Sequence, residues 1–303
     1  IWAIKESLLR GDLSLPSDLM KRVLEIESIR CHHCDEWGKL KKHPKNQPVT
    51  QPHNIPLKNQ FTAVLKGSVY KPDHKGNRVL GVVVAGNGFI NITTSKSKDS
   101  SELESEYRKN LRIWETLSGQ KMLSHASDGG TEYTGNDEHP LVKFFSEKGI
   151  FQIVGPRDDS NGAAEKSIDS VATLTGVLMS ASDAPPKMWS EAAHCAVEIL
   201  NTQPSQSKAG QGDDEDGAHD GRSHFEMSTG RKPALAKQKK FGCNALVNIP
   251  RSRRKKGQRR NEWMVHLRSA PRGGLGYMIT DGGSITLALS ASFIRGRLDS
   301  IKT

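Results

Sequence analysis

Cysteine is scarce, with four residues in a chain of 303. That is too few for a disulfide framework at this length. Cys195 and Cys243 lie in apolar surroundings and read as small core residues. Only Cys31 and Cys34 stand close together, and residues 1–30 before them contain no histidine. No run of about 18 apolar residues is present, so nothing has the character of a membrane-spanning helix and no membrane partner is expected. The N-terminus as given lacks a signal-peptide pattern. It opens on Ile1 rather than methionine, as a segment of a longer polyprotein would. Acidic residues are outnumbered, 34 against 44 Lys and Arg, for a formal net charge of +10 and a pI of about 9.4. Such a surplus points to an anionic partner, of which nucleic acid is the commonest, although a basic soluble protein can show the same balance. Hydrophobic residues make up 35% and mean hydropathy is −0.59. A core can form, but long polar stretches need not fold.

Leu8, Leu9, Leu19, Val23 and Ile26 give residues 1–30 a helical pattern. Residues 39–58 are basic and proline-containing and read as an extended linker. Strand-like runs follow at Phe61 to Tyr70, Arg78 to Ala85 and Gly88 to Thr94, separated by turn residues. Leu103, Tyr107, Leu111, Trp114 and Leu117 recur at helical spacing, with Ser101 and Glu104 as a capping box. A short strand leads into Ser127-Asp128. A helix over Leu141 to Lys148 and a strand over Ile150 to Val154 come next. Ala164, Ile168, Val171, Leu174 and Leu178 line a long helix, and Trp189, Ala192, Ala196, Ile199 and Leu200 line another beyond Pro185 and Pro186. The order predicts an α/β fold with a mixed sheet between helices. Three antiparallel strands followed by crossover helices is what a ribonuclease-H-like fold needs.

Residues 204–222 are acidic and glycine-rich, offer nothing to bury and read as a disordered insert. A compact β pattern lies beyond them. Phe241 to Ile249 reads as a strand and Arg251 to Arg260 as a basic run. Gly274 to Ile279 and Ser284 to Ile294 supply further strands around the Asp281-Gly282-Gly283 turn.

The acids that carry chemistry are Asp128, at a strand end, and Glu165, in the first turn of a helix. Acids so placed can meet at one sheet edge and hold divalent cations. Two-metal phosphoryl-transfer sites keep their ions about 3.5–4 Å apart, clamping the attacking and leaving oxygens. Mg²⁺ prefers such carboxylates and keeps several waters. Spacing alone favours two ordinary surface acids, since the chain has 34.

Motifs change those odds. Ser127-Asp128-Gly129-Gly130-Thr131-Glu132-Tyr133 resembles the stretch around the second catalytic Asp of copia-type retrotransposon integrases. Asn161-Gly162-Ala163-Ala164-Glu165-Lys166 is similar to their motif carrying the catalytic Glu. Trp189-Ser190-Glu191-Ala192 through Leu200-Asn201-Thr202-Gln203-Pro204 resembles the helix that follows. Thr229-Gly230-Arg231-Lys232-Pro233 and Phe241 to Pro250 resemble the segment opening the family's small SH3-like domain. The resemblance covers roughly residues 30 to 298. It implies a zinc-binding helical module, here a remnant over 1–38, and a linker over 39–58. A ribonuclease-H-like core with a mixed five-stranded sheet would cover 59–203, the insert 204–222 and a basic SH3-like β domain 223–303. The implied activity is metal-dependent processing of DNA ends and strand transfer, with Mg²⁺ or Mn²⁺ held by Asp128 and Glu165. The implied partners are retroelement ends, target DNA and further copies of the chain, in the nucleus or a retroelement particle.

The departures point the other way. The family's first catalytic Asp falls at Val64, in Ala63-Val64-Leu65-Lys66-Gly67, and valine cannot ligate a metal. Asp73 is the nearest acid, but it falls in a turn. Cys31 and Cys34 form half of a tetrahedral zinc site. The two histidines the family pairs with them lie before Ile1 or are lost, and His43 is the one nearby substitute. Lys166 keeps part of the basic character that follows the family's Glu. Arg251, Arg253, Arg254, Lys255, Lys256, Arg259 and Arg260 would neutralise DNA phosphates with little sequence preference. The same run reads also as a nuclear-localisation signal or a solvated loop. Trp263 beside it reads as core packing of the β domain rather than a base-stacking platform. The expectation is an integrase-type chain with a crippled metal site, against an active integrase as the alternative.

Overall fold

The computed structural model describes residues 2–13, 15–26, 55–56, 59–67, 71–128, 130–155, 162–205, 221–235, 238–249, 251–254, 256–269, 277–281, 284–289 and 291–293. Cys31, Cys34, His43, Lys255, most of the 39–58 linker and positions 206–220 of the insert lie outside them. Two helices open the chain, α1 (Trp2–Leu9) and α2 (Ser17–Glu25). Then β1 (Gln60–Lys66), β2 (Val79–Ala85) and β3 (Ile90–Ser95) form an antiparallel meander. The strands β4 (Ser124–Ser127) and β5 (Phe151–Val154) continue the sheet in parallel from the other side of β1. The resulting order, β3-β2-β1-β4-β5, is the mixed five-stranded sheet of the ribonuclease-H-like integrase core.

Strand alternation divides this sheet into two apolar faces. Phe61, Ala63 and Leu65 of β1 and Val83 and Ala85 of β2 join Leu103, Tyr107, Trp114, Phe144 and Phe145. Those partners sit on α3 (Ser100–Ser118) and α4 (Pro140–Lys148). The opposite face carries Val64, Leu80, Val82 and Val84, covered by Ile168 and Val171 of α5 (Gly162–Ser182) and Trp189 and Ala193 of α6 (Trp189–Thr202). The cap of α3 differs from the predicted box. Asp99 is the N-cap and accepts from the Ser101 amide, while Glu102 reaches back to the Ser97 amide at 3.0 Å. Asp99 caps the helix two residues ahead of Ser101, so the Ser101–Glu104 spacing has no free amides to serve. Gly119 closes α3 at φ 67° and Gly149 closes α4 at φ 65°, where a side chain would be strained.

The short α7 (His224–Thr229) follows an isolated bridge between Pro204 and Ser223. The Ser205 amide donates to the Arg222 carbonyl at 3.0 Å, so both ends of the expected insert are paired. The second sheet is wholly antiparallel. It contains β6 (Asn244–Asn248), β7 (Asn261–Ser269), β8 (Tyr277–Thr280), β9 (Ile285–Ala288) and β10 (Ala291–Phe293), in the order β10-β6-β7-β8-β9. It is the expected C-terminal β domain, around Ala245, Val247, Ile279 and Ala288. The longest of these strands, β7, has no counterpart in the sequence reading. A bulge between His266 and Arg268 breaks its alternation, so His266 and Leu267 are both buried. Trp263 corrects another expectation: it is 37% exposed and outside the core. Among the described residues, no helix is long and apolar enough to cross a membrane.

Candidate metal and nucleic-acid site

The parallel register of β1 and β4 sets the geometry of the site. Thr62 lies opposite Ala126, and continuing the register by two residues brings Val64 level with Asp128. Asp128 therefore follows the end of β4, level with Val64 of β1. It is half-buried, and its Oδ1 is shut off from solvent with no hydrogen-bond donor among the described residues. Such an oxygen is costly to leave unserved. Glu165 is exposed in the first turn of α5, the helix that packs over β1 and β2. One turn further on, Asp169 meets Lys66, the last residue of β1, with Nζ 3.4 Å from Oδ1.

These residues do not fit a two-ion site. Val64 packs against the apolar cluster that contains Ile168 and Val171. Among the described residues, no group of three His, Cys, Asp or Glu side chains is arranged to hold a metal. Asp73 is no substitute. It is buried in the β1–β2 connection, where Oδ1 accepts from the Lys75 and Asn77 amides at 2.7 and 2.8 Å. Burial alone would raise its pKa, but hydrogen bonds from Ser190, Asn77 and Lys75 outweigh it and hold the carboxyl below its ordinary range. Its oxygens are committed to the turn.

Behind Asp128 lies a buried polar cluster. The Tyr107 hydroxyl is 3.1 Å from His125 Nε2 and 3.5 Å from the Tyr133 hydroxyl. The His125 ring stacks on Phe145 with centroids 4.5 Å apart. Burial pushes both tyrosines upward, and the nearby Asp128 charge adds to the rise. Burial drives His125 down to about 3. Burial, with Arg268 adding to it, drives His194 down to about 4. Both histidines thus stay neutral in the folded chain but take up protons when it unfolds. A depressed pKa contributes stability that is complete above the unfolded value of about 6.5 and is lost as pH falls toward the folded value. Each is expected to add about 1.4 kcal/mol per pH unit to the slope once pH is well below 6.5. Thermal melting between pH 7.5 and 5.0 should therefore fall steeply, and less steeply in His125→Phe. Parallel pH profiles for the two proteins would show that His125 takes no part.

The basic run connects β6 to β7. Arg251–Arg253 make a 3₁₀ turn, and Arg251, Lys256, Arg259 and Arg260 are exposed. Arg254 is half-buried. Lys166 is exposed on α5 next to Glu165 and borders an open groove of about 590 Å³ with Thr62, Ser167 and Ser170. Glu191 entered the sequence reading only as part of a family motif, and His266 had no place in it. An acid and a histidine inside amphipathic segments look solvent-facing until the second sheet covers them.

No family model matches the chain. It is similar to the retrovirus-related Pol polyprotein from transposon TNT 1-94 of Nicotiana tabacum, 25% identical over 167 residues. That match takes in 53% of this chain and 11% of the polyprotein's length. Two solved structures are also similar. One is the catalytic core domain of BIV integrase, with 13% identity, a TM-score of 0.37, and 56% of this chain and 93% of that one covered. The other is a simian T-cell lymphotropic virus intasome in complex with a PP2A regulatory subunit, with 15% identity, a TM-score of 0.45, and 91% and 92% covered. The sheet order around Asp128 and the match to the transposon polyprotein together support the reading of this chain as a retrotransposon integrase-type protein.

Proposed function

We propose that this is a copia-type integrase chain that holds DNA but does not join it, because its metal site is one ligand short. The observation that carries the reading is Val64, level with Asp128 and packed into the apolar layer under α5. A branched aliphatic side chain suits a half-buried strand and offers a cation nothing. Among the described residues, Mg²⁺ or Mn²⁺ would have only Asp128 and Glu165, too few carboxylates to bridge two ions. Zinc at Cys31 and Cys34 belongs to the same proposal, as do homo-oligomers and a place in the nucleus or the retroelement particle. The binding surface comprises Lys166 and the basic run from Arg251 to Arg260, in a chain of net charge +10.

The test uses the full chain with duplexes carrying retroelement ends and a plasmid target, in Mg²⁺ and in Mn²⁺. Retention of the duplex with weak sequence preference and no joined product is expected. Robust metal-dependent strand transfer would establish the active enzyme instead and show that another carboxylate completes the site.

A further inference from the structure

We infer that lysine ammonium groups, Lys66 foremost, occupy the end of β1 in place of divalent cations, so that two acids bordering the site, Asp169 and Glu132, are neutralised by the chain itself. The inference rests on the proposed assignment of Val64 to the ligand position. Lys66 is two residues beyond Val64 and on the same face of the strand. Successive same-face residues are about 6.6 Å apart along a strand. From there its Nζ reaches Asp169 Oδ1 at 3.4 Å, one helical turn beyond Glu165. The chain therefore sets a positive charge beside the acidic face of α5 where it has lost a carboxylate from β1.

A second lysine does the same from the other face. The Lys98 side chain lies over Gly67, where a Cβ would collide with its stem. Its Nζ is 3.3 Å from Glu132 Oε1, four residues after Asp128. Two acids near the site, Asp169 and Glu132, are thus each paired with an ammonium at the strand end. Both pairs are partly solvent-exposed, with Lys66 and Lys98 side chains at 34% and 46%. They are weak as stabilising contacts. Their effect is on what else can bind, because a divalent cation arriving here meets a resident like charge. Loss of the ligand and gain of the cation act in one direction, and restoring the ligand alone would leave the new carboxylate within reach of Lys66.

The test compares Val64→Asp, Lys66→Gln and the double variant with the parent chain, using Mn²⁺ alone as the probe. Free Mn²⁺ is read by electron paramagnetic resonance and folding by circular dichroism. The double variant is expected to bind Mn²⁺ about tenfold more tightly than Val64→Asp, from removal of one like charge carried by the next residue on the same face of the strand. Equal Mn²⁺ affinity of the two, both tighter than the parent, would overturn the role of Lys66 while leaving the Val64 assignment standing. If neither binds more tightly than the parent, the Val64 assignment fails and the inference with it. Should Val64→Asp not fold, Lys66→Gln alone carries the test. A severalfold rise in Mn²⁺ affinity over the parent supports the inference, and an unchanged affinity overturns it.

Discussion

Glu191→Ala is expected to destabilise the chain by about 3–5 kcal/mol, the usual result of removing one partner from a buried ion pair. Glu191 is 1% exposed on α6, and Arg268 Nε of β7 donates to its Oε2 at 2.6 Å. Lys75 Nζ and His74 Nε2 lie 3.4 and 3.6 Å from Oε1. Burial would raise the Glu191 pKa, but the charge and hydrogen bond of Arg268 outweigh it and hold the carboxyl below its ordinary range. The acid is therefore ionised at neutral pH, and its loss strands a guanidinium whose side chain is only 13% exposed. The pair also joins α6 to the second sheet, with the Ser269–Glu198 hydrogen bond of 2.7 Å beside it. Urea unfolding of Glu191→Ala, Arg268→Ala and the double variant checks this. The double variant should be less destabilised than the sum of the singles, since neither charge is then left alone. A depressed carboxyl contributes stability above its unfolded pKa and loses it as pH falls, so the difference between parent and variant should shrink in acid. A change within about 0.5 kcal/mol for Glu191→Ala would mean that water reaches this cluster and screens it.

What could be read from the sequence follows from where a single element decides the outcome. The strand β2 spells Val-Leu-Gly-Val-Val-Val-Ala and is buried throughout, so its apolar run is explained by two covered faces. Leu103, Tyr107, Leu111 and Trp114 of α3 recur at helical spacing, and the structure buries those four. Asp128, Glu165 and Val64 stood out only through the resemblance to family motifs, and the register that brings Val64 level with Asp128 is set by the pairing of β1 with β4. The misses have a different character. His266 and Arg268 look solvent-facing in β7, yet His266 packs edge-on against Tyr277 and Phe293, and Arg268 is satisfied by Glu191 from another element. Trp263 erred the other way, because its place before the bulge turns it outward. The Lys66–Asp169 and Lys98–Glu132 pairs span 103 and 34 residues, and no local pattern announces contacts set by the crossing of a helix and a sheet.

Replacing Arg251, Lys256, Arg259 and Arg260 together with alanine is expected to weaken DNA binding by roughly four-thousandfold at 0.1 M salt. The four side chains are exposed in the β6–β7 connection, so a phosphate backbone can reach all of them without rearrangement of the sheet. Each phosphate contact contributes about 0.9 to the slope of log affinity against log salt, so the slope should flatten by about 3.6. That factor of about four thousand is the slope change carried over one decade of salt, with parent and variant converging near 1 M. Stability should move by no more than about 0.5 kcal/mol, since none of the four is buried, which separates a binding defect from a folding one. Lys166→Ala, on the core rather than the β domain, should flatten the slope by only about 0.9. Titrations of labelled duplex at several salt concentrations distinguish the two surfaces. A fourfold variant with the parent's slope would show that the run faces solvent only, and a large loss from Lys166→Ala would move the DNA path to the groove beside α5. If both variants leave the slope unchanged, the charge of +10 is spread over the surface and no single patch grips the backbone.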